Sequence, residues 1–356
     1  MSRKTKIRKN VPPYVRLDLR SRKMLVQSLL RTMAKKKQMG KMPANPLLVP
    51  KDPKTAIMPS HASILLMSAL SYSSHWKIEQ LTVDHLREST KEVIQLKPPL
   101  HASGVLSHCK PDLLLVLGSD LLLAEDLDFI RSLPFKKAIW LADSTGSSEI
   151  LRQTALSFDC VFTQQSSHIP FYLHGGCRTV QFLPFPADPT EWYPLTVPEE
   201  YRSEVVIFGD TSQKTPALIP VIDSWRENKK VIVCGKGWDC FDDYQVLPDE
   251  SPWPLYLNGA NLVLHLSPSL NRILEAASCG ACQISVDDPC LYQWTNPDED
   301  ILLFHTPEEL GEKLNSLRCY PEQRRRLSTQ ALAGSRFRYS YRQVVLELLR
   351  ITFENY

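Results

Sequence analysis

The sequence lacks any apolar run that approaches the roughly 18 residues of a membrane-spanning helix. Its first residues are basic and contain no apolar core like that of a secretory signal, so neither a signal peptide nor a transmembrane segment is expected. It also lacks a P-loop, a G-x-G-x-x-G fingerprint, a G-x-S-x-G nucleophile elbow and an H-E-x-x-H motif. The phosphate-binding, nucleophilic and metal-dependent sites that these motifs mark therefore find no support.

Cysteine usage argues against a disulfide framework. The nine cysteines are an odd number and are scattered through strand-like and helical segments, which is typical of reduced thiols in a cytosolic protein. Cys279-Gly-Ala-Cys282 has the spacing of half a zinc site, but a complete site needs two more ligands. Cys290 and His265 are available and irregularly placed, so no metal site is predicted.

Charge is distributed unevenly, although the formal net charge is only +3. Residues 1–41 contain 14 Lys/Arg and one acid, which gives +13, whereas the remainder contains 28 Lys/Arg and 38 acids, which gives −10. An acidic body therefore carries a basic arm, with a helix predicted around Leu17 to Met33. Such an arm is suited to an anionic surface, a nucleic acid or an acidic partner, and a solvated extension is the alternative.

The body has the pattern of an α/β protein. Its 43% hydrophobic and 23% charged content is that of a soluble globular chain, and 356 residues suffice for two domains. Short apolar runs alternate with helical segments, which predicts parallel sheets covered on both faces. A segment rich in proline and aromatic residues at 184–198 is interpreted as an interdomain linker.

Two Rossmann-like halves are therefore predicted. The predicted strands are 63–69 (alternatively a helix), 111–117, 137–141, 160–163, 179–183, 205–208, 231–234 and 262–266. The predicted helices in the body are 164–174 (broken or begun at Pro170), 306–317, 321–333 and 341–353. The predicted domains are a basic extension and linker (1–54), an N-terminal domain (55–190), a C-terminal domain (200–338) and a C-terminal helix that packs back on the N-terminal domain (339–356).

Residues 258–289 form the most informative unit of the chain. An apolar strand ends in Ser267-Pro268-Ser269, which can open a helix that carries Asn271, Arg272 and Glu275 and stops at Gly280. Ligands of open α/β sheets bind at the carboxyl ends of strands, and the N-terminus of a helix there favours phosphate. Arg272 and Glu275 are three residues apart and share a helix face. A diphosphate and a ribose would suit this pair, and a surface ion pair is the alternative.

Residues 258–289 and several other segments together resemble a known family, the CgeB-type spore-protein glycosyltransferases within the retaining GT-B group. The resemblance covers roughly residues 105–350, and it rests on the order and spacing of several pieces rather than on any one of them. The matching pieces are KPDLLLVLGSD, AIWLADS, FDCVFTQ, FLPFPADPTEWYP, VVIFGD, VIVCGKGWD, NRILEAASCGACQIS, ILLFHTPEELGEKL and SYRQVVLELL. The resemblance implies a GT-B fold, in which two Rossmann-like domains face each other across a cleft.

The resemblance also implies where a nucleotide sugar would bind. Glu275 matches the glutamate that contacts the ribose, and Gly209 matches a glycine that lets backbone approach the diphosphate. Lys214 lies in the loop where a basic residue meets the phosphates. Gly235 and Trp238 would line the base side, with tight-turn and core roles as alternatives. The complete predicted donor-binding set is Gly209, Lys214, Gly235, Trp238, Ser269, Asn271, Arg272 and Glu275.

The reacting sugar and the acceptor are less well defined by the resemblance. Many retaining GT-B enzymes have a second glutamate eight positions before the ribose-binding one, and this chain has Ser267 there. Asp143, at the end of a predicted strand, is the candidate catalytic residue, and capping of the next helix is its alternative role. GT-B enzymes need no bound metal, and Asp242-Asp243 and Asp287-Asp288 are interpreted as solvated loop acids.

Two functions follow as expectations. The first is a hexosyltransferase-like enzyme that moves a sugar from a UDP- or GDP-sugar, without a cofactor, to a protein, polysaccharide or spore-surface acceptor. The second is a non-catalytic GT-B relative that acts as a binding or morphogenetic surface protein. The expected location is the cytoplasm, with association to a cell or spore surface through the basic arm.

Overall fold

The computed structural model describes residues 59–70, 76–97, 110–142, 148–211, 215–227, 229–239 and 241–354. All of the elements below belong to one unit that spans Thr55–Glu354. The helix predicted in the basic arm and the predicted site residues Asp143 and Lys214 lie outside the described residues.

Six parallel strands form the first sheet. They are β1 (Ser63–Ser68), β2 (Glu92–Leu96), β3 (Leu113–Leu117), β4 (Lys136–Trp140), β5 (Cys160–Thr163) and β6 (Thr179–Phe182). They pair in the order β2-β1-β3-β4-β5-β6. Every residue of β3 and of β5 is buried, whereas the edge strand β2 buries Leu96 alone. Continuous apolar runs mark these inner strands because a parallel sheet is covered on both faces.

Four helices alternate with the strands of the first sheet. They are α1 (Trp76–Ser89), α2 (Ala124–Ser132), α3 (Glu149–Ala155) and α4 (Ile169–His174). The Ser148 side chain accepts a hydrogen bond from the Leu151 N–H at 3.2 Å and so caps α3. Pro170 lies in the first turn of α4, where its missing N–H has no intrahelical partner to lose.

The second sheet also contains six parallel strands. They are β7 (Ser203–Phe208), β8 (Val231–Cys234), β9 (Tyr244–Val246), β10 (Ala260–His265), β11 (Gln283–Val286) and β12 (Leu302–Phe304). Their order is β12-β11-β10-β7-β8-β9. The chain therefore builds this sheet outwards in one direction from β7 and then restarts at β10 on the other side.

The reversal of strand order creates a switch point between β7 and β10. Phe208 and His265, the last residues of the two strands, are partners in the register. Ligands of open α/β sheets bind outside the carboxyl ends of strands at such a point. The loops that begin at Gly209 and Leu266 are therefore placed where a ligand is expected.

The helices of the second half are α5 (Thr215–Arg226), α6 (Trp253–Gly259), α7 (Leu270–Ser278), α8 (Leu291–Trp294), α9 (Pro307–Cys319), α10 (Pro321–Ala333) and α11 (Tyr341–Glu354). The predicted bounds of α9, α10 and α11 agree with the observed ones within two residues. The Thr306 side chain caps α9 by accepting the Glu309 N–H at 3.2 Å. A π-helical turn, Gly334–Arg338, separates α10 from α11.

One apolar cluster joins the two sheets. It contains Leu270 and Ile273 of α7 together with core residues of the first sheet, and the rings of Phe182 and Trp294 meet edge to face at 6.3 Å. The C-terminal helix α11 packs on α1, and the Lys136 side chain donates to the Thr352 carbonyl at 3.0 Å. The helix α7 is therefore held firmly between the halves, and the predicted α/β fold with two parallel-sheet Rossmann-like domains is confirmed.

Candidate functional site

Two glycines allow the strand ends of the second sheet to approach each other closely. Gly209 follows β7 with a φ of +133°, and a Cβ there would lie 2.7 Å from the backbone nitrogen of Ser267. A Cβ on Gly235, which follows β8, would lie 2.2 Å from the carbonyl oxygen of Gly209. Both positions therefore require glycine, and backbone rather than side chains forms this part of the switch point.

Hydrogen bonds stabilise this glycine junction of Gly209, Gly235 and Ser267. The Gly209 N–H donates to the Cys234 carbonyl at 3.0 Å, and the indole N–H of Trp238 donates to the Gly209 carbonyl at 2.8 Å. Trp238 is 1% exposed and packs in the core of the second sheet. Trp238 is thus a core residue, which was the alternative to a role in binding the base. Its indole holds Gly209 in place, and its ring is buried.

The first turn of α7 begins directly above this junction. Ser269 is the N-cap residue, and its side chain makes no capping hydrogen bond, while its carbonyl accepts the Ile273 N–H at 3.0 Å. Backbone N–H groups in the first turn of a helix have no intrahelical acceptor. Together with the positive end of the helix dipole, they are suited to an anion.

Arg272 and Glu275 form an ion pair on one face of α7. The Arg272 guanidinium donates to Glu275 Oε2 at 2.9 Å and to the carboxylate of Asp249. It also lies over the rings of Phe208 and Trp253, at 5.4 and 5.9 Å from their centroids. The side chains of Arg272 and Glu275 are each about one-fifth exposed, whereas that of Asp249 is 74% exposed. Arg272 is therefore held by two rings and Glu275 on its inner side and has one exposed partner, Asp249, on its outer side.

Burial changes the proton affinity of Glu275. It raises the pKa of this carboxyl to about 7, and the guanidinium of Arg272 acts in the opposite direction. A group with this pKa changes its charge close to neutral pH. The charge balance beside the glycine junction is therefore sensitive to pH.

Replacement of Glu275 by Gln should change how stability depends on pH. The unfolded carboxyl has a pKa near 4.3, so the folded state binds its proton more tightly. The stability gained from this proton is present below about pH 4.3 and is lost as pH rises to about 7. We expect urea unfolding to show wild type losing up to about 1.4 kcal/mol per pH unit relative to Glu275→Gln in that window.

Other titratable groups act equally in both proteins and therefore cancel in the comparison. Burial raises the pKa of Asp300 to about 6 and lowers that of His265 to about 4, and both residues are unchanged by the substitution. Parallel curves of unfolding free energy against pH for wild type and Glu275→Gln between pH 4.5 and 7 would contradict the raised pKa of Glu275.

A cavity of about 800 Å³ lies between the two halves, next to α7. The described lining includes the predicted residues Ser269, Asn271 and Glu275 but not Gly209, Gly235 or Arg272. The other residues that line it are Lys77, Ile78, Ala142, Gln164, Gln165, Ser166, Ser167, Phe182, Phe185, Pro186, Ala187, Asp188, Glu191, Trp192, Pro268, Leu270, Asp288, Cys290 and Tyr341. Three of the predicted donor-binding residues therefore line the cavity, while Gly209 and Gly235 form the glycine junction.

Sequence reasoning missed the groups that the first half contributes to this cavity. Lys77 pairs with Glu191, and its Nζ lies 3.9 Å from Asp188 Oδ2. Gln164 accepts a hydrogen bond from the Asn271 side chain at 3.0 Å and so links the two walls. Asp188 and Glu191 follow the last strand of the first sheet, so the carboxyl-end rule could have identified them.

The acidic pairs of the loops and the candidate metal ligand His265 have defined surroundings in the structure. The Asp243 side chain is 81% exposed, as a solvated loop acid should be, and its carboxylate also accepts from Arg226 at 3.0 Å, whereas Asp288 lines the cavity. His265 is fully buried, and its Nε2 donates to Gln283 Oε1 at 2.9 Å because the Gln283 amide nitrogen donates to a carbonyl. Among the described residues, no group of three or more His, Cys, Asp or Glu is placed to hold a metal ion.

None of the described helices is long and apolar enough to cross a membrane.

The two parallel sheets, the switch point and the cavity between the halves define a GT-B fold. Solved structures that share it include a glycosyltransferase from Rickettsia africae, 10% identical with a TM-score of 0.54, covering 83% of this chain and 100% of that one. HepE of Anabaena in complex with UDP is 13% identical with a TM-score of 0.53, covering 80% and 98%. Sucrose-phosphate synthase from Thermosynechococcus elongatus is 11% identical with a TM-score of 0.50, covering 80% and 97%.

A family model matches most of the second half of the chain. Residues 218–350, which include the whole of α7, match a family described as glycosyl transferase-like. A search of curated proteins found no match. Residues 218–350 are thus similar to a glycosyl transferase-like family, and the chain has the GT-B fold.

Proposed function

We propose that this protein is a glycosyltransferase that transfers a hexose from a UDP- or GDP-sugar to an acceptor in the cavity between its two halves. One observation carries the proposal: the Arg272–Glu275 pair and the first turn of α7 lie between a backbone-lined switch point and a cavity of about 800 Å³. A diphosphate needs backbone donors and fixed positive charge, and a sugar needs an enclosed polar cavity.

Different residues would bind the diphosphate and the ribose of the donor. Gly209 and Gly235 let the strand ends pack closely beside Ser267, and the α7 N-terminus at Ser269 would provide backbone donors for the diphosphate. Arg272 would meet the phosphates, and Glu275 would accept hydrogen bonds from the ribose hydroxyls. In support, the structurally similar HepE has been solved with UDP and, at 14% identity and a TM-score of 0.51, with UDP-glucose.

Catalysis in this scheme depends on the departing diphosphate. Negative charge develops on it as the bond to the sugar breaks, and preorganised donors stabilise that charge more in the transition state than in the ground state. Arg272 is already oriented by two aromatic rings and Glu275, so little reorganisation is needed. Asp249 would be displaced by the phosphates, because its exposed carboxylate occupies the outer side of the guanidinium. We propose no cofactor, Lys214 as a further phosphate contact and Asp143 as the acceptor-orienting residue.

We also propose an acceptor for the enzyme and a role for the basic arm. The resemblance to CgeB-type enzymes supports a protein, polysaccharide or spore-surface acceptor, reached from the cytoplasm. The basic arm of residues 1–41 would serve by binding an anionic surface or an acidic partner, since its +13 charge contrasts with the −10 of the remainder.

One observation favours a second candidate, a non-catalytic GT-B relative that acts as a binding or morphogenetic protein. Ser267 stands where many retaining GT-B enzymes have a glutamate, and the structure packs it against Gly209. A serine there cannot provide the negative charge that a glutamate would give to the transferred sugar. Such a relative would bind a nucleotide sugar without releasing its nucleotide when an acceptor is added.

A thermal-shift screen with UDP-glucose, GDP-mannose, UDP and GDP tests the donor site. Wild type should be stabilised by at least one of them, by about 2.7 kcal/mol at a hundredfold excess over its dissociation constant. Glu275→Ala should lose most of this shift. Glu347→Ala is the matched control, because Glu347 also pairs with an arginine three residues along a helix, and it should keep the shift.

The results separate the two functions. A shift together with nucleotide release in the presence of glycan acceptors supports transfer, and a shift without release supports the non-catalytic relative. No shift with any of the four compounds would contradict both.

A further inference from the structure

The wall of the cavity that the first half contributes is acidic. Asp188 and Glu191 lie on it, and Glu275 and Asp288 face it from the second half. Among the described lining residues, Lys77 is the one Lys or Arg. The described lining of the cavity therefore carries four carboxyl groups and a single ammonium group.

The charge of Lys77 is already compensated. Its Nζ pairs with Glu191 and lies 3.9 Å from Asp188. Asp188 is in turn held in place, because its Oδ1 accepts from the N–H and hydroxyl of Thr190 at 2.7 and 2.8 Å. An incoming anion would therefore have to displace a carboxylate from Lys77 before it could use that cation.

The described residues that follow five of the six strands of the first sheet add no other cation. Segments after the carboxyl ends of parallel strands meet at one edge of a sheet. No Lys or Arg occurs among the described residues that follow five of these strands, which are 69–70, 118–123, 141–142, 164–168 and 183–198. The edge strand β2 is followed directly by Lys97. Apart from Lys97, the described part of this edge therefore lacks positive charge, in contrast with Arg272 in the second half.

The remaining lining is of the kind that holds an uncharged polar molecule. The rings of Phe185, Trp192 and Tyr341 give it apolar surface. Amides and hydroxyls from Gln164 and Ser166 give it neutral donors and acceptors. Carboxylates accept hydrogen bonds from hydroxyl or amino groups and repel other anions.

We propose that the acceptor group that enters this cavity is a sugar or similar polyhydroxyl compound that carries no phosphate or carboxylate, so that neutral and amine-bearing acceptors are selected and anionic ones rejected. This inference rests on the proposed glycosyltransferase function. A cleft lined by charge of one sign lowers the local concentration of ligands of the same sign and raises that of the opposite sign. Selection against anions follows from the acidic wall of the first half, and the diphosphate of the donor would be bound on the side of the second half, at Arg272 and the first turn of α7.

Two aryl glycosides that differ only at C6 test the proposal. Binding of 4-nitrophenyl β-D-glucoside and 4-nitrophenyl β-D-glucuronide to the full chain would be titrated by saturation-transfer NMR in the presence of UDP. The glucoside should bind at least tenfold more tightly than the glucuronide. Glu191→Gln should reduce this ratio because it releases Lys77, whereas Glu347→Gln, a matched exposed substitution, should leave it unchanged.

The outcomes distinguish this inference from the function on which it rests. A glucuronide that binds as tightly as the glucoside, a ratio unaffected by Glu191→Gln, or no binding of either glycoside overturns the inference. If UDP still gives its thermal shift in the same samples, the donor site survives that result. If UDP gives no shift, the proposed function fails, and the acceptor assignment fails with it.

Discussion

Replacement of Gly209 by alanine is expected to destabilise the protein and to remove donor binding. The residue has a φ of +133°, a conformation that an L side chain rarely adopts, and the new Cβ would lie 2.7 Å from the backbone nitrogen of Ser267. Backbone strain of this kind costs about 3 kcal/mol, because neither strand end can move without the sheet. Urea unfolding measures the loss, and thermal shift with UDP measures the effect on the site.

Gly311→Ala is the matched control for this prediction. Gly311 lies inside α9, and a Cβ there would meet only the side chain of Val221, at an ordinary distance of 3.6 Å. Alanine should stabilise the helix by about 0.5–1 kcal/mol, since it has less conformational freedom to lose on folding. Equal effects of Gly209→Ala and Gly311→Ala would show that the glycine junction needs no special backbone conformation.

Replacement of Arg272 by alanine should have the second large effect. It leaves Glu275 mostly buried without its partner and removes the contacts with Phe208 and Trp253. We expect a loss of about 3 kcal/mol in the free energy of unfolding, because the Glu275 carboxyl must then either stay charged without a partner or take up a proton, and the aromatic contacts are lost as well. Affinity for UDP should fall at least tenfold if Arg272 meets the phosphates.

Two further variants separate the effect on stability from the effect on binding. The double variant Arg272→Ala/Glu275→Gln removes the unpaired charge and should recover part of the lost stability without recovering UDP binding. Arg350→Ala removes an arginine that is 52% exposed and pairs with Glu347, and it should change stability by less than about 1 kcal/mol. Recovery of UDP binding in the double variant would exclude Arg272 as a phosphate contact.

Much of the fold could be predicted because its signals are local. The strands at 160–163 and 231–234 were predicted with the observed bounds, since they are short, buried apolar runs between polar segments. β9, Tyr244–Val246, was missed because it is an edge strand with two exposed residues and no such run. β2 was missed for the same reason, since one of its five residues is buried.

The candidate site could be predicted only in part. The shared face of Arg272 and Glu275 follows from helix geometry alone, and the structure places the two in contact. Trp238 could not be assigned correctly, because a tryptophan after a strand can face either a ligand or the core, and burial decides between them. Asp143 and Lys214 remain predictions.

The sequence by itself determined the two α/β halves, the acidic body with its basic arm and the polar helix start that follows β10. These properties depend on residue order and composition over short stretches. Only the tertiary structure decided which charges from distant parts of the sequence meet. Arg272 pairs with Asp249 across 23 residues, and Lys77 pairs with Glu191 across 114. Such pairs arise from the order of strands in the sheets and from the packing of one half on the other, which local pattern does not specify.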